Sequence, residues 1–227
     1  MRSIICKLVF AFLIVGSGVA KSQTLQWDST FRPTKYKEQV LKFKEDTIRK
    51  NNFVFLGNSI TAGTDWGKLL NIDNAKQRGI SGDITFGVLE RLQDIIDSKP
   101  TKIFILIGIN DVSRNIPDSI ILDNYHKILK RIVKGSPKTK IYFNTLLPVN
   151  AAFEKFKNHY NKDQHILYLN EQIRKLKYKN LTIIDLYPQF LDENNHLKSA
   201  YTKDGLHLNN EGYEVWKNVI IKGKYLN

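Results

Sequence analysis

A chain of 227 residues that is 42% hydrophobic and carries 3 Trp, 10 Tyr and 12 Phe can bury one sizeable core, and it contains no internal repeat or low-complexity tract. Its single cysteine, Cys6, lies in an N-terminal leader-like stretch, which excludes a disulfide, a thiol nucleophile and a thiolate metal site from the remainder. A net charge of +13 would suit a polyanion, whether nucleic acid, an acidic glycan or an anionic surface, but the lysines are dispersed among Glu38, Glu45 and Asp46; the basicity reads as solubility and steering, with no nucleic-acid partner expected.

Residues 1–22 read as a secretory signal. Arg2 and Lys7 flank a short n-region, residues 8–15 are an apolar core too short to span a membrane comfortably, and Gly16-Ser17-Gly18-Val19-Ala20 supplies small residues before cleavage near Ala20 or Ser22. Removal of residues 1–20 would take Arg2 and Lys7 from the +13 and leave +11. An uncleaved N-terminal anchor is the alternative. No cysteine near the cleavage site could accept a lipid and no other stretch reaches spanning length, so export without a stable membrane anchor is the expectation, with the oligomeric state undetermined.

Residues 24–33, with Trp27 and Arg32-Pro33, form an arm into an amphipathic helix whose inward face is marked by Tyr36, Val40, Phe43 and Thr47. The apolar run 53–56 predicts a buried strand, followed by Gly57-Asn58-Ser59-Ile60-Thr61 and a helix reaching Leu69-Leu70. Asn58 and Ser59 are both preferred helix N-caps and could do no more than turn the chain. Alternatively, the strand delivers the Ser59 hydroxyl to the carboxyl edge of a sheet, where open α/β folds place their ligands.

A short strand over 75–78 opens into Gly79-Ile80-Ser81-Gly82-Asp83, and Ile84, Val88, Leu92 and Ile95/Ile96 follow with helical period. The continuous apolar run 103–107 predicts a central parallel strand ending in Gly108-Ile109-Asn110-Asp111. Ile121, Tyr125, Ile128 and Ile132 make the next helical stripe, closed by Gly135-Ser136-Pro137. Residues 141–143 are the fourth strand, with Leu146-Leu147-Pro148-Val149-Asn150 as its exit. The polar, aromatic-rich stretch 151–165 has no assignable period. Beyond it Ile166, Leu169, Ile173 and Leu176 give a helix, 181–184 the fifth strand, and Asp204-Gly205-Leu206-His207 precedes a last helix containing Tyr213, Trp216 and Ile220. Five strands alternating with helices through short connections predict a parallel sheet with helices on both faces.

In such a sheet the carboxyl ends share one rim, so Ser59, Gly82 and Asn110 can converge. Acyl transfer needs a hydroxyl nucleophile and donors for the oxyanion of the tetrahedral intermediate; the backbone N–H groups of Ser59 and Gly82 and the Asn110 amide are the candidates, an Asn in this role being worth about 3 kcal/mol. The three-residue spacing of Asp204 and His207 lets the carboxylate hold Nδ1–H while Nε2 faces Ser59 as general base. Each piece taken singly has a bland explanation as a turn or a cap; together they form an ordered set.

The four blocks containing Ser59, Gly82, Asn110 and His207 resemble those of the SGNH hydrolases, or GDSL-type esterases, and the resemblance runs from about Asn52 to Ile221. Arg78-Gly79-Ile80-Ser81-Gly82-Asp83, the Leu147-Pro148-Val149-Asn150 loop and Asp204-Gly205-Leu206-His207-Leu208-Asn209 look like the branch of platelet-activating-factor acetylhydrolase and bacterial carbohydrate O-acetylesterases. Asn58 and Ile60 depart from the Gly-Asp-Ser-Leu signature at positions that do not supply the nucleophile, and Gly82 matches the family's oxyanion donor better than Gly79.

The resemblance implies a three-layer α/β/α sandwich with a five-stranded parallel sheet, flavodoxin-like, and ester hydrolysis without metal or cofactor. The chain then divides into a signal (1–22), an arm and helix (23–51) and a hydrolase domain (52–227). No His-Glu-x-x-His is present, and His126, His159, His165 and His196 look scattered. A small-molecule or glycan acyl ester is the expected substrate. The absence of a long apolar insertion favours acetyl on a sugar over the longer chains of a lysophospholipase or thioesterase; a non-catalytic polyanion-binding module is the competing class. Tyr201 and 151–165 are candidate pocket walls, and Trp66 a core residue.

Overall fold

The computed structural model describes residues 27–227; the signal-like segment 1–22 and its cleavage site lie outside the described residues. Five strands, β1 (Phe53–Gly57), β2 (Ala75–Gly79), β3 (Lys102–Leu106), β4 (Lys140–Asn144) and β5 (Leu181–Ile184), pair in parallel in the order β2-β1-β3-β4-β5. Around them run α1 (Tyr36–Glu45), α2 (Ser59–Ala62), α3 (Trp66–Leu70), α4 (Thr85–Ser98), α5 (Ile109–Ser113), α6 (Asp118–Gly135), α7 (Asp163–Lys175) and α8 (Asn210–Lys222). This is the expected three-layer α/β/α sandwich. The strand order reverses beside β1, so the crevice outside the carboxyl ends of β1, β2 and β3 is where this topology places a ligand.

The two sheet faces follow from alternation along each strand. On one face Phe55, Phe104 and Tyr142 occupy registered positions on β1, β3 and β4 and stack at 4.7 Å each. Trp66 of α3 extends the ladder, parallel to Phe55 at 4.2 Å, and Trp216 of α8 meets Trp66 edge-on at 4.8 Å. Trp66 is 1% exposed and its indole N–H donates to the Thr61 carbonyl at 2.9 Å, which satisfies its one polar group within the core. On the other face Tyr125 of α6 packs edge-on against Phe143 at 5.0 Å, and α6 is flanked by α4 and α7.

Two helices differ from the sequence expectation. The single helix after Ser59 is two: the chain breaks at Gly63, and the Asp65 side chain caps α3 by accepting from Lys68 N at 3.1 Å. The first helix stops at Glu45, leaving Thr47 exposed and Ile48 as the buried residue. The reason lies on β2. Buried Arg78 pairs with Asp46 Oδ2 at 2.9 Å and also takes the Asp46 carbonyl, while Lys76 binds the same carboxylate, so Asp46 is drawn out of the helical path. No helix among the described residues is long and apolar enough to cross a membrane.

The stretch without a period, 151–165, contains two short 3₁₀ turns, Ala151–Phe153 and Lys157–His159, before α7 begins.

Phe55 sits between Trp66 and Phe104 with 1% exposure, so truncation leaves a cavity that neither rigid ring can fill. Phe55→Ala is expected to lower unfolding free energy by about 3–5 kcal/mol in urea titration. A loss below about 1 kcal/mol would mean that the ladder collapses around the gap.

Candidate active site

Ser59 opens α2 directly after β1. Asn58 caps that turn, its Oδ1 accepting from Ile60 N at 3.0 Å, and Tyr213 of α8 holds the far side by donating to the Ile60 carbonyl at 2.7 Å. Capping and presentation are therefore one geometry: the cap that starts the helix leaves the Ser59 hydroxyl on the rim, half-buried.

The segment 202–208 is a tight loop folded around Asp204. One carboxylate oxygen, Oδ1, accepts from the backbone N–H of His207 at 2.7 Å and of Leu206 at 3.1 Å. The other, Oδ2, lies 2.9 Å from His207 Nδ1, and His207 Nε2 lies 2.9 Å from Ser59 Oγ. A carboxylate can only accept, so Nδ1 carries the imidazole hydrogen and Nε2 offers its lone pair to the Ser59 hydroxyl. Burial pushes the Asp204 carboxyl up, but the hydrogen bonds from the backbone and ring of His207 outweigh it and hold Asp204 below its usual range. Thr202 Oγ locks the loop, accepting from Gly205 N at 2.9 Å and donating to the His207 carbonyl at 2.7 Å.

Gly82 follows β2 in a four-residue turn in which Asp83 N donates to the Ile80 carbonyl at 3.0 Å. Its φ of +78° is what the third position of such a turn requires, and glycine supplies it without strain. Among the described residues neither the Gly82 N–H nor the Ser59 N–H has a protein acceptor. Asn110 lies at the start of α5, and its Nδ2 donates to the Asp83 carbonyl at 2.9 Å. Before it, Gly108 has φ +131°, and a Cβ there would stand 2.0 Å from the Tyr125 hydroxyl.

Beneath these turns lies a buried network. Arg91, 7% exposed on the inward side of α4, pairs with Asp83 Oδ2 at 3.0 Å and donates to the carbonyls of Arg78 at 2.9 Å and Gly57 at 3.0 Å. Asp111, wholly buried, accepts from Thr85 N at 3.0 Å and Thr85 Oγ at 2.5 Å, tying the start of α5 to the start of α4. Burial pushes both carboxyls up against these bonds, Asp111 to about 7.

The structure thus brings Ser59, Gly82, Asn110, Asp204 and His207 to one open cleft of about 1370 Å³. The arm lines it through Trp27 and Asp28, the stretch 154–159 lines it too, and Ser81, Ser113, Arg114 and Leu206 complete the lining. Phe156 packs edge-on against His207 at 4.9 Å. Of the expected walls, 151–165 contributes six residues, whereas Tyr201 packs on Phe190 at 6.0 Å away from the lining. His159 is not scattered: it reaches Asn110. Arg91 and Asp111 were also missed, although Arg91 lies next to Leu92 on the apolar stripe of α4, a position where a charge signals a buried partner. Among the described residues no group of three His, Cys, Asp or Glu side chains could hold a metal ion.

Residues 55–215 match the model of the GDSL-like lipase/acylhydrolase family. Among solved structures, a candidate platelet activating factor from Streptococcus pneumonia is 27% identical with a TM-score of 0.77, covering 85% of this chain and 93% of that one. A candidate acylhydrolase from Bacteroides fragilis is 27% identical, TM-score 0.72, over 86% of this chain and 100% of that one. A GDSL-like lipase from Bacteroides thetaiotaomicron is 27% identical, TM-score 0.71, over 84% and 97%. N-acylneuraminate cytidylyltransferase of Streptococcus agalactiae is 26% identical over 184 residues, 79% of this chain; the chain spans 41% of the length of that curated relative.

The raised Asp111 gives a pH signature. Between about pH 4 and 7 the unfolded chain ionises this carboxyl while the folded chain keeps its proton, so the group destabilises the fold increasingly across that window, by up to about 4 kcal/mol, and no further above it. The melting temperature of Asp111→Asn relative to wild type is therefore expected to climb from pH 4 to 7 and then level. Parallel melting curves across that range would show that Asp111 is not protonated in the fold.

Proposed function

The chain belongs to the GDSL-like lipase/acylhydrolase family, and we propose that it is a carboxylic-ester hydrolase that cleaves short acyl esters through Ser59, with acetyl groups on carbohydrate as its substrate class. The observation that carries this reading is the line Ser59 Oγ, His207 Nε2, His207 Nδ1, Asp204 Oδ2, with 2.9 Å at each of its two hydrogen bonds.

In the proposed reaction Ser59 Oγ attacks the ester carbonyl carbon as His207 Nε2 takes the hydroxyl proton, and Asp204 stabilises the imidazolium that results. The negative charge moves to the carbonyl oxygen, where the N–H groups of Ser59 and Gly82 and the free N–H of Asn110 receive it; one such donor is commonly worth about 10²–10³ in kcat. His207 returns the proton to the leaving alcohol as the C–O bond breaks, giving acyl-Ser59. Water, deprotonated by the same His207, then releases the carboxylic acid and restores Ser59.

The substrate reading rests on the cleft. Its walls are open and polar, with Asp28, Arg114, Lys155, Lys157 and Asn158 among the lining residues, which suits a hydroxylated sugar better than a long acyl chain. The Streptococcus agalactiae relative is named for a reaction of N-acylneuraminate, itself a sugar. Export through a signal over residues 1–22 belongs to the same proposal, and mass spectrometry of secreted protein would locate the new N-terminus near Ala20 or Ser22.

Hydrolysis of p-nitrophenyl acetate by Ser59→Ala and His207→Ala is expected to fall at least about 10³-fold with folding retained. The rate should be insensitive to chelator and highest with short acyl groups. A wild type no faster than Ser59→Ala would favour the polyanion-binding alternative, and a maximum at long acyl chains a lysophospholipase or thioesterase.

A further inference from the structure

His159 ends the turn Lys157–His159 on the cleft wall, and its Nε2 lies 3.2 Å from Oδ1 of Asn110. The other side of that amide, Nδ2, faces the Asp83 carbonyl at 2.9 Å. These two contacts determine each other. The carbonyl can only accept, so Nδ2 must point to Asp83 and Oδ1 to His159; Oδ1 can only accept, so Nε2 of His159 carries the hydrogen. Any other tautomer or amide flip sets two lone pairs against each other. The arrangement leaves no hydrogen on His159 Nδ1, which is buried without a partner. With Oδ1 and one Nδ2 hydrogen committed, the Asn110 amide keeps a single free N–H, on a residue that lines the cleft with Ser59 and Gly82.

The loop that carries His159 is held firmly. The Tyr160 hydroxyl accepts from the backbone N–H groups of Lys155 and Phe156 at 3.1 Å each, and Lys162 bonds to Asn115 just beyond α5. Phe156 stands edge-on to both histidine rings, 5.9 Å from His159 and 4.9 Å from His207. Burial above all, with the charges of His207 and Arg114 acting the same way, brings His159 down to about 4, so in neutral solution it is an uncharged donor.

We propose that His159 is a positioning residue for ester hydrolysis: its Nε2–H fixes the Asn110 amide so that the remaining N–H meets the oxyanion. The inference rests on the Ser59 esterase reading. It assigns to the loop over 151–162 a part in the chemistry as well as in the cleft wall, and it uses Asn110 as the only route by which His159 acts.

The test is steady-state kinetics on p-nitrophenyl acetate for wild type, His159→Phe and His159→Gln, each also in an Asn110→Ala background, with Ser59→Ala as control and circular dichroism to verify folding. His159→Phe, which keeps a ring and loses the donor, is expected to lower kcat about ten- to a hundredfold, less than loss of an oxyanion donor outright, with KM changed less than about twofold. His159→Gln, whose side-chain N–H can occupy the place of Nε2–H, should recover most of kcat. In the Asn110→Ala background His159→Phe should cost less than about twofold, because the interaction is already gone. A loss that persists undiminished in that background, a Gln variant as slow as the Phe variant, or a Phe variant with wild-type kcat overturns the proposal. If the Phe ring unfolds the loop, His159→Ala carries the same expectations. A wild type no faster than Ser59→Ala overturns the esterase reading and this one with it, whereas a strong Ser59 effect with no His159 effect overturns this one alone.

Discussion

The guanidinium of Arg91 divides its donors among the Gly57 carbonyl, the Arg78 carbonyl and the Asp83 carboxylate, so one buried side chain joins the ends of β1 and β2 to the turn after Gly82. Burying a charged pair costs several kcal/mol per ion, and the attraction between the partners offsets that only when their remaining hydrogen-bonding capacity is also met. Here it is met: Asp83 Oδ1 accepts from Ile84 N at 3.0 Å, and Arg91 has two backbone carbonyls besides the carboxylate. What the pair contributes is relative position. Ser59 stands two residues beyond one of those carbonyls and Gly82 stands beside Asp83, so their two unbonded N–H groups are set with respect to each other by a single planar group.

From Asp83 the same connectivity continues into α5. Its carbonyl receives the Asn110 amide, and the neighbouring Asp111 is held by Thr85 at the start of α4, whose hydroxyl also accepts from Asn124 of α6 at 2.8 Å. Three strand ends are therefore cross-tied by side chains from the helices that follow them. Side chains cross-tied in this way hold the donors in place before reaction, which is what an oxyanion site needs, since donors that must reorient during the reaction forfeit much of their effect.

The strands were legible because a parallel sheet covered on both faces requires unbroken apolar runs, and 53–56 and 103–107 are such runs. The rim residues were legible because Gly, Asn, Ser and Asp have no reason to follow those runs at regular intervals in a core. What escaped depends on partners distant in sequence. The end of α1 is set by Arg78, 32 residues beyond Asp46, and local periodicity carries no trace of it. His159 meets Asn110 across 49 residues from a loop with no period at all, so in sequence it reads as one of four scattered histidines. The break between α2 and α3 is local and readable: Asp65 ahead of Trp66-Gly67-Lys68 is an N-cap pattern inside the stretch that periodicity alone makes one helix.

The segment matched by the family begins at residue 55, yet the cleft does not. Trp27 stacks on Phe86 at 6.0 Å, Phe31 lies under the Arg114 guanidinium at 3.1 Å, and Pro33 sits against Gly82, so the arm is packed onto three of the segments that build the site. The reactive groups and the arm side of the cleft thus belong to different stretches of chain. The first are seated at the strand ends and in the loop around Asp204; the arm is a strap lying across them that leads through α1 into β1. Divergence in the strap could reshape what the cleft admits without disturbing a single hydrogen bond of the Ser59 line, and a domain boundary drawn at the start of the family segment would separate an enzyme's chemistry from part of its selectivity.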